Sequence, residues 1–135
     1  MLNINELLSK VTKKSAPGKE EIAALMNKVD FKIDQDYLDF IEAHDGAEGF
    51  VGDSSYIILW TVKDLISLNP YYGESIDNGY SKSLFLFGTN GGDTAYGIRK
   101  SDGVFIEAPF IGMSTETLIE LGRNFMEFLS FLSNQ

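Results

Sequence analysis

The stretch LFLFGTNGGDTAYGIR, residues 84–99, predicts the centre of a β-sheet. Its two ends, Leu84–Phe87 and Thr94–Arg99, are rich in the aromatic and branched side chains that strands favour. Thr89–Asp93 lies between them and consists of turn-forming residues. A third run of this kind, Val104–Glu107, follows a linker whose Asp-Gly pair is typical of a tight hairpin. The segments predict three consecutive antiparallel strands.

Helical patterns lie on both sides of this predicted sheet. Apolar residues recur with a period near 3.6 over residues 4–11, 22–29 and 37–44, and again from about Ser114 to the C-terminus. Asp34 is placed to cap the third helix. The last stripe consists of Leu118, Leu121, Phe125, Phe128, Leu129 and Leu132. The sequence thus predicts helices that bury one face each.

The segment between the third helix and residue 84 reads as a strand, a helical turn and a loop. Tyr56–Trp60 is a short β-branched and aromatic run, and Thr61 with Asp64 resembles a capping box that opens a helical turn. Asn69–Tyr80 contains Pro70, Gly73 and Gly79 and is predicted to be a loop. The predicted fold is α+β, a single domain over residues 1–135 with a mainly antiparallel sheet and helices packed against it.

Composition excludes several classes of function. The 135 residues include no Cys and one His, which rules out a disulfide framework, a zinc-thiolate site and a Cys nucleophile, so we expect no metal and no cofactor. A net charge of -9 argues against nucleic-acid binding. The N-terminal residues lack the pattern of a secretory signal, and no apolar run approaches the length of a membrane span. We therefore expect a cytoplasmic protein that makes no membrane contact.

The negative charge is concentrated in residues 30–53. This segment holds eight acids and one Lys, whereas the other 111 residues hold twelve acids and ten bases. A solvated helix face with a polar loop would explain the pattern, and so would a surface that attracts a basic partner. The candidate partner-binding acids are Asp36, Asp39, Glu42, Glu48 and Asp53.

Signals of catalysis and ligand binding are weaker. Residues 88–93 are Gly-rich, but they lack both nucleotide-binding fingerprints, so we interpret them as a turn whose glycines supply positive φ. His44 and Asp45 could form part of a catalytic arrangement, but a His at a helix C-terminus commonly has a structural role. Asp36 and Asp39 lie three residues apart on a polar face, where two solvated carboxylates are the simpler interpretation.

Tyrosines form a second candidate recognition surface. Tyr71, Tyr72 and Tyr80 fall in the predicted loop, and tyrosines combine a large contact area with a polar tip. By contrast, the aromatic residues of the predicted strands are expected to pack in the core. We take Tyr71 and Tyr72 as candidate anchors for a partner.

Several segments in order resemble the SUKH superfamily, the domain shared by fungal cell-wall-synthesis regulators and many bacterial toxin-immunity proteins. Residues 31–46, FKIDQDYLDFIEAHDG, resemble its LPxDYxxFLxxxNG element, and residues 84–98 are similar to its FGsdGGGdayaf segment. Leu59-Trp60 with the turn after them resembles its lwsleel element, and residues 125–129 its closing helix. The chain departs from the pattern at Asp34, where Pro is usual.

The resemblance implies a binding module without an established catalytic set. Bacterial members neutralise toxins, often nucleases, by direct binding, and nucleases tend to be basic. The favoured hypothesis is therefore an immunity protein whose acidic surface meets a basic toxin. A regulatory module without a toxin partner is the alternative, and an enzyme that uses His44 is the third hypothesis.

Overall fold

The residues that the structure describes build a seven-stranded sheet whose strand order follows the sequence. The structure, a computed structural model, describes residues 3–75, 83–113 and 117–135. In these residues the elements are α1 (Ile4–Leu7), β1 (Val11–Lys13), α2 (Lys19–Lys28), α3 (Gln35–Ala43), β2 (Ala47–Val51), β3 (Ser55–Leu59), α4 (Val62–Ser75), β4 (Leu84–Thr89), β5 (Thr94–Arg99), β6 (Phe105–Pro109), β7 (Ile119–Gly122) and α5 (Phe125–Ser133). Each strand is antiparallel to its neighbours. The predicted α+β class is confirmed.

The β4–β5 hairpin forms the centre of the sheet, as the sequence predicts. A glycine is required at position 88, because a β-carbon there would lie 2.5 Å from the main-chain oxygen of Ile58 on β3. This close approach allows β3 and β4 to pair at Leu59 and Gly88. In the turn, Gly91 adopts a φ of 87°, the conformation predicted for a glycine there.

Helices α3 and α5 pack on one face of the sheet, here called the inner face. Tyr37 of α3 lies 5.1 Å from Phe87 and 5.6 Å from Phe125, measured between ring centroids. Phe128 of α5 lies 5.2 Å from both Phe87 and Tyr96. These rings are nearly or fully buried. Their burial supplies the main favourable term in folding, because it removes large apolar surfaces from water.

Helix α4 takes the place of a strand beside part of β4. The side chain of Asn69 accepts a hydrogen bond from the amide of Leu86 at 2.7 Å and donates one to the carbonyl of Leu86 at 2.9 Å. It also donates to the carbonyl of Leu65 at 2.8 Å. One carboxamide thus satisfies the backbone groups that a neighbouring strand would otherwise pair.

The ends of the chain differ from the predicted pattern. The first helix ends at Leu7, and Val11 lies in strand β1, which pairs with β2. The last helix begins at Phe125, whereas Leu121 lies in strand β7 beside β6. The predicted start near Ser114 lies outside the described residues. Short apolar segments can fit both the helical period of about 3.6 residues and the strand period of about 2. In both places, hydrogen bonding to another strand favours the extended conformation.

The segment after β3 also differs. Helix α4 continues through Pro70 to Ser75, so Tyr71 and Tyr72 are helical rather than in a loop; the rest of the predicted loop, including Tyr80, lies outside the described residues. The hydrogen bonds made by the side chain of Asn69, the residue directly before Pro70, tie this part of the helix to β4 and compensate for the amide donor that Pro70 lacks. Strand β2 was also not predicted, because AEGFV has little strand character without its neighbours.

Candidate functional site

Three of the eight acids in residues 30–53 serve the fold. Asp30 forms an ion pair with Lys100 at 3.0 Å, and this hydrogen-bonded contact lowers the pKa of Asp30. Asp34 caps α3 by accepting from the amide of Tyr37 at 3.1 Å, and the same oxygen lies 3.3 Å from the amide of Phe125. Asp45 accepts from the amide of Val62 at 2.8 Å, at the start of α4. These carboxylates stabilise helix ends and connections.

The exposed side of α3 carries Asp36, Asp39 and Glu42, which are all exposed. Asp39 accepts a hydrogen bond from Gln35 at 2.7 Å. Asp36 and Glu42 form no hydrogen bond or ion pair with any residue that the structure describes. The opposite side of the helix buries Tyr37, Phe40 and Ile41 in the core. The structure therefore brings these three predicted residues together on one solvated helix face, here called the acidic face of α3.

Glu48 and Asp53 lie elsewhere. Glu48 is exposed on β2 and alternates with Ala47, whose buried side chain points inward, so it projects from the outer face of the sheet. Because α3 packs on the inner face, the sheet separates Glu48 from the acidic face of α3. Asp53 lies in the β2–β3 turn, where it pairs with Lys10 at 3.4 Å. The five predicted acids thus occupy three places on the surface.

Tyr71 and Tyr72 belong to an aromatic cluster on α4. The ring of Tyr72 stacks on Trp60 at a centroid distance of 6.2 Å and lies 4.9 Å from Phe110. Tyr71 packs edge-on against Tyr72 at 5.1 Å and stays 57% exposed. Tyr72 is therefore half-buried by the fold itself, whereas Tyr71 presents much of its ring to solvent.

The structure gives His44 and Asp45 separate structural contacts. The Nδ1 atom of His44 lies 3.0 Å from the carbonyl oxygen of Lys14, and its ring lies 5.3 Å from that of Phe40. The carboxylate of Asp45 accepts the hydrogen bond from the amide of Val62 at the N-terminus of α4. The enzyme hypothesis requires the carboxylate of Asp45 to accept a hydrogen bond from the ring of His44. The side-chain hydrogen bonds of these two residues go to other partners.

Backbone amides of the Gly-rich turn donate hydrogen bonds to side chains of the same turn. The amide of Gly91 donates to Thr89 Oγ1 at 2.9 Å, and the amides of Gly92 and Thr94 donate to Asn90 Oδ1 at 2.9 and 3.2 Å. These donors are engaged within the turn, which supports the interpretation of residues 88–93 as a strand connection. Among residues 3–75, 83–113 and 117–135, no cluster of three or more His, Asp or Glu could hold a metal ion.

The prediction from sequence did not include the exposed side chains that surround Glu48. Phe50 of β2 is 45% exposed, and its ring lies 5.1 Å from that of Tyr56 on β3. The hydroxyl of Tyr56 donates to Glu48 Oε2 at 2.5 Å, and this hydrogen bond raises the pKa of Tyr56. Strand alternation from Ala47 to Val51 is the one signal that could have placed Phe50 outward, and Gly49 interrupts it.

Comparison with known proteins adds the family. A model of the SMI1/KNR4 family (SUKH-1) matches residues 16–130, well over half of the chain. No curated protein matches the chain closely enough to count as a relative. None of the described helices is long and apolar enough to cross a membrane. The matched range contains α2 to α4, the central hairpin and most of α5. The chain therefore belongs to the SMI1/KNR4 (SUKH-1) family.

Proposed function

We propose that this protein is an immunity protein that neutralises a cognate basic, nuclease-type toxin by direct binding. Family membership supports the class, since the SUKH family is one of immunity and regulatory domains that are generally non-catalytic. On this proposal the protein is a single domain over residues 1–135 that acts in the cytoplasm. It needs no cofactor and catalyses no reaction.

The acidic face of α3 is the observation that carries the proposal. Its carboxylates at Asp36, Asp39 and Glu42 are exposed, and two of them have no partner among the described residues. Together with the net charge of -9, they create a field that attracts a basic protein. Glu48 and Asp53 extend this field over other parts of the surface. Complementary charge of this kind mainly accelerates association.

Aromatic contacts are proposed to slow dissociation. Tyr71 is largely exposed and is supported from behind by Tyr72, which in turn stacks on Trp60. A ring held in this way loses little conformational freedom on binding, and Tyr and Trp are common among residues that dominate binding energy. Tyr71 and Tyr72 are therefore the proposed anchors.

The first test is a pull-down against the C-terminal domain of a large secreted protein encoded beside the gene, at low and at high salt. Tight binding that weakens with salt and abolishes toxin activity is the expected result. Salt screens exposed charges strongly, because the Debye length falls from about 10 Å at 0.1 M to about 3 Å at 1 M. Binding that is indifferent to salt would reject the electrostatic component.

A charge-reversal pair tests the acidic face of α3. Asp39→Lys with Glu42→Lys is expected to lower the association rate at least about tenfold at low salt. Both positions lie beyond the first turn of α3, where a Lys does not oppose the helix dipole. Glu20→Lys on the exposed side of α2 makes the same change of charge as Asp39→Lys alone and is the control for that single variant; because Glu20 lies in the first turn of α2, circular dichroism checks that the helix is retained. Equal effects at both places would show that only net charge matters.

A regulatory interaction module without a toxin is the second candidate. The family description, SMI1/KNR4, favours it as much as it favours immunity. The two functions differ in their partners, because an immunity protein needs a toxin encoded nearby. Capture of a non-toxic cellular protein, with no effect on any neighbouring toxin, would establish the regulatory function instead.

A further inference from the structure

A block of outward-facing side chains lies on β1, β2, β3 and the end of β4, on the outer face of the sheet. Cross-strand neighbours share a face, so the register places them together. Phe50 pairs with Tyr56, and Glu48 pairs with Ile58 on one side and with Thr12 on the other. Ile58 pairs in turn with Thr89. The outer block consists of Thr12, Glu48, Phe50, Tyr56, Ile58 and Thr89.

The apolar part of the outer block is open to solvent. Phe50 is 45% exposed, and Tyr56 and Ile58 are half-buried. The Gly91 turn closes one side, since a β-carbon at Gly91 would lie 3.6 Å from the ring of Tyr56. The two rings meet edge to face at 79°, so each fixes the orientation of the other. The result is a rigid aromatic surface on regular strands.

A carboxylate is held inside this apolar surface. Glu48 Oε2 accepts the hydroxyl of Tyr56 at 2.5 Å, which orients the carboxylate beside the ring. Glu48 Oε1 accepts no hydrogen bond from any described residue. An oriented carboxylate next to an aromatic face suits a guanidinium, which stacks on rings and donates in a planar fork.

The surrounding charge favours the same partner. Asp53 and Asp93 lie in the two turns that border the outer block, while Lys10 is paired with Asp53 and Lys14 follows β1. Lys13 of β1 pairs with the inward-facing Ala47, so the outer block and its border hold three acids (Glu48, Asp53 and Asp93) and two bases (Lys10 and Lys14). If two copies of this chain associated through the outer block, their Glu48 carboxylates would face each other, and each chain carries a net charge of -9. This repulsion disfavours a second copy as the partner.

We propose that the outer block is a docking surface for an arginine-bearing segment of a basic protein partner. The inference rests on the proposed function and deepens it, because it assigns Glu48 to a surface that is separate from the acidic face of α3. Arginine side chains of the partner would stack on Phe50 and Tyr56 and donate to Glu48. The acidic face of α3 then contributes attraction at a distance.

The test uses hexa-arginine and hexa-lysine peptides as probes in NMR titrations of the full chain. We expect hexa-arginine to shift the resonances of Phe50, Tyr56 and Ile58, with at least about threefold tighter binding than hexa-lysine, because stacking adds to charge. Phe50→Ala and, separately, Glu48→Gln should each weaken hexa-arginine binding by at least about threefold. The control is Ile119→Ala, which shortens an apolar side chain, 53% exposed, on the far edge strand.

Shifts confined to the acidic face of α3, or equal binding of both peptides, would overturn the inference. Self-association that depends on Phe50 in sedimentation experiments would also overturn it. The two proposals fail differently. If no toxin binds but hexa-arginine still shifts the outer block, the immunity function is wrong and the docking surface stands. If the toxin binds Phe50→Ala as tightly as the parent chain, the docking surface is wrong and the immunity function stands.

Discussion

Replacing Asn69 with Ala removes the carboxamide that joins α4 to the sheet. The parent side chain makes hydrogen bonds of 2.7 and 2.9 Å to the amide and carbonyl of Leu86, and a third of 2.8 Å to the carbonyl of Leu65. Leu86 is 1% exposed, so water has little access to the two groups that Asn69→Ala leaves behind. Both would be buried without a partner.

The number of backbone groups left without a partner sets the expected loss of stability. Each buried backbone group left unsatisfied costs about 1–3 kcal/mol. Two such groups, less about 0.5 kcal/mol gained because Ala favours a helix more than Asn does, predict a loss of about 1.5–5.5 kcal/mol. A domain of this kind has a free energy of unfolding of about 5–15 kcal/mol. Asn69→Ala should therefore remove a large share of the stability.

Urea unfolding followed by fluorescence measures this loss. The protein has a single Trp, Trp60, which lies just before α4 and stacks on Tyr72 of that helix, so its fluorescence reports on α4. Asn27→Ala makes the same substitution on the exposed side of α2, where the side chain of Asn27 makes no hydrogen bond to a described residue. We expect it to change stability by less than about 0.5 kcal/mol. A loss below about 1 kcal/mol for Asn69→Ala would refute the reasoning.

Three further predictions concern polar groups that the fold buries fully or in part. The hydroxyl of Tyr37 is buried without a hydrogen bond to any described residue, so Tyr37→Phe should stabilise the protein by about 1 kcal/mol; a lower melting temperature would contradict this. Asp34→Ala should cost about 1–2 kcal/mol in urea unfolding, because Asp34 caps α3 and reaches the first amide of α5, whereas Asp34→Asn should retain much of the cap; equal losses would show that charge outweighs the cap. Burial raises the pKa of Glu107, so ionisation of this side chain destabilises the folded state. The contribution of Glu107 to stability is full below the ordinary pKa of Glu and is lost as the pH rises through the raised pKa. Glu107→Gln should then raise the melting temperature near pH 7, by less than about 1 kcal/mol in free energy since the group is partly solvated, and have no such effect at about pH 3.5; a gain of the same size at both values would refute the role of ionisation.

Part of the candidate site could be predicted from the sequence. The helical spacing of Asp36, Asp39 and Glu42 against Tyr37 and Phe40 places the acids on the solvent side of one helix, and the structure has them there. Their role in binding a partner stays a prediction. The helical position of Tyr71 could not be predicted, because Pro70 and the nearby glycines signal a loop. The contacts that hold this part of the helix are made with Leu86 on β4 and with Trp60 just before the helix, and only tertiary packing brings them together.

The sequence by itself determined the elements whose signals are local. The β4–β5 hairpin, helix α3 with its cap at Asp34, and the acidic character of residues 30–53 follow from periodicity, turn residues and a count of charges. The tertiary structure decided which short segments became strands. Val11–Lys13, Ala47–Val51 and Ile119–Gly122 are extended because each hydrogen-bonds to a neighbouring strand.

Tertiary structure also decided where the charges lie. A charge count cannot tell that the sheet separates Glu48 from the acidic face of α3, or that Asp30, Asp34 and Asp45 are engaged within the fold. It cannot place Phe50 beside Tyr56 on the outer face either. For Glu48 and Phe50 the physical reason is the same. A side chain's neighbours across a sheet are set by hydrogen-bond register between strands, and register depends on the packing of the whole chain.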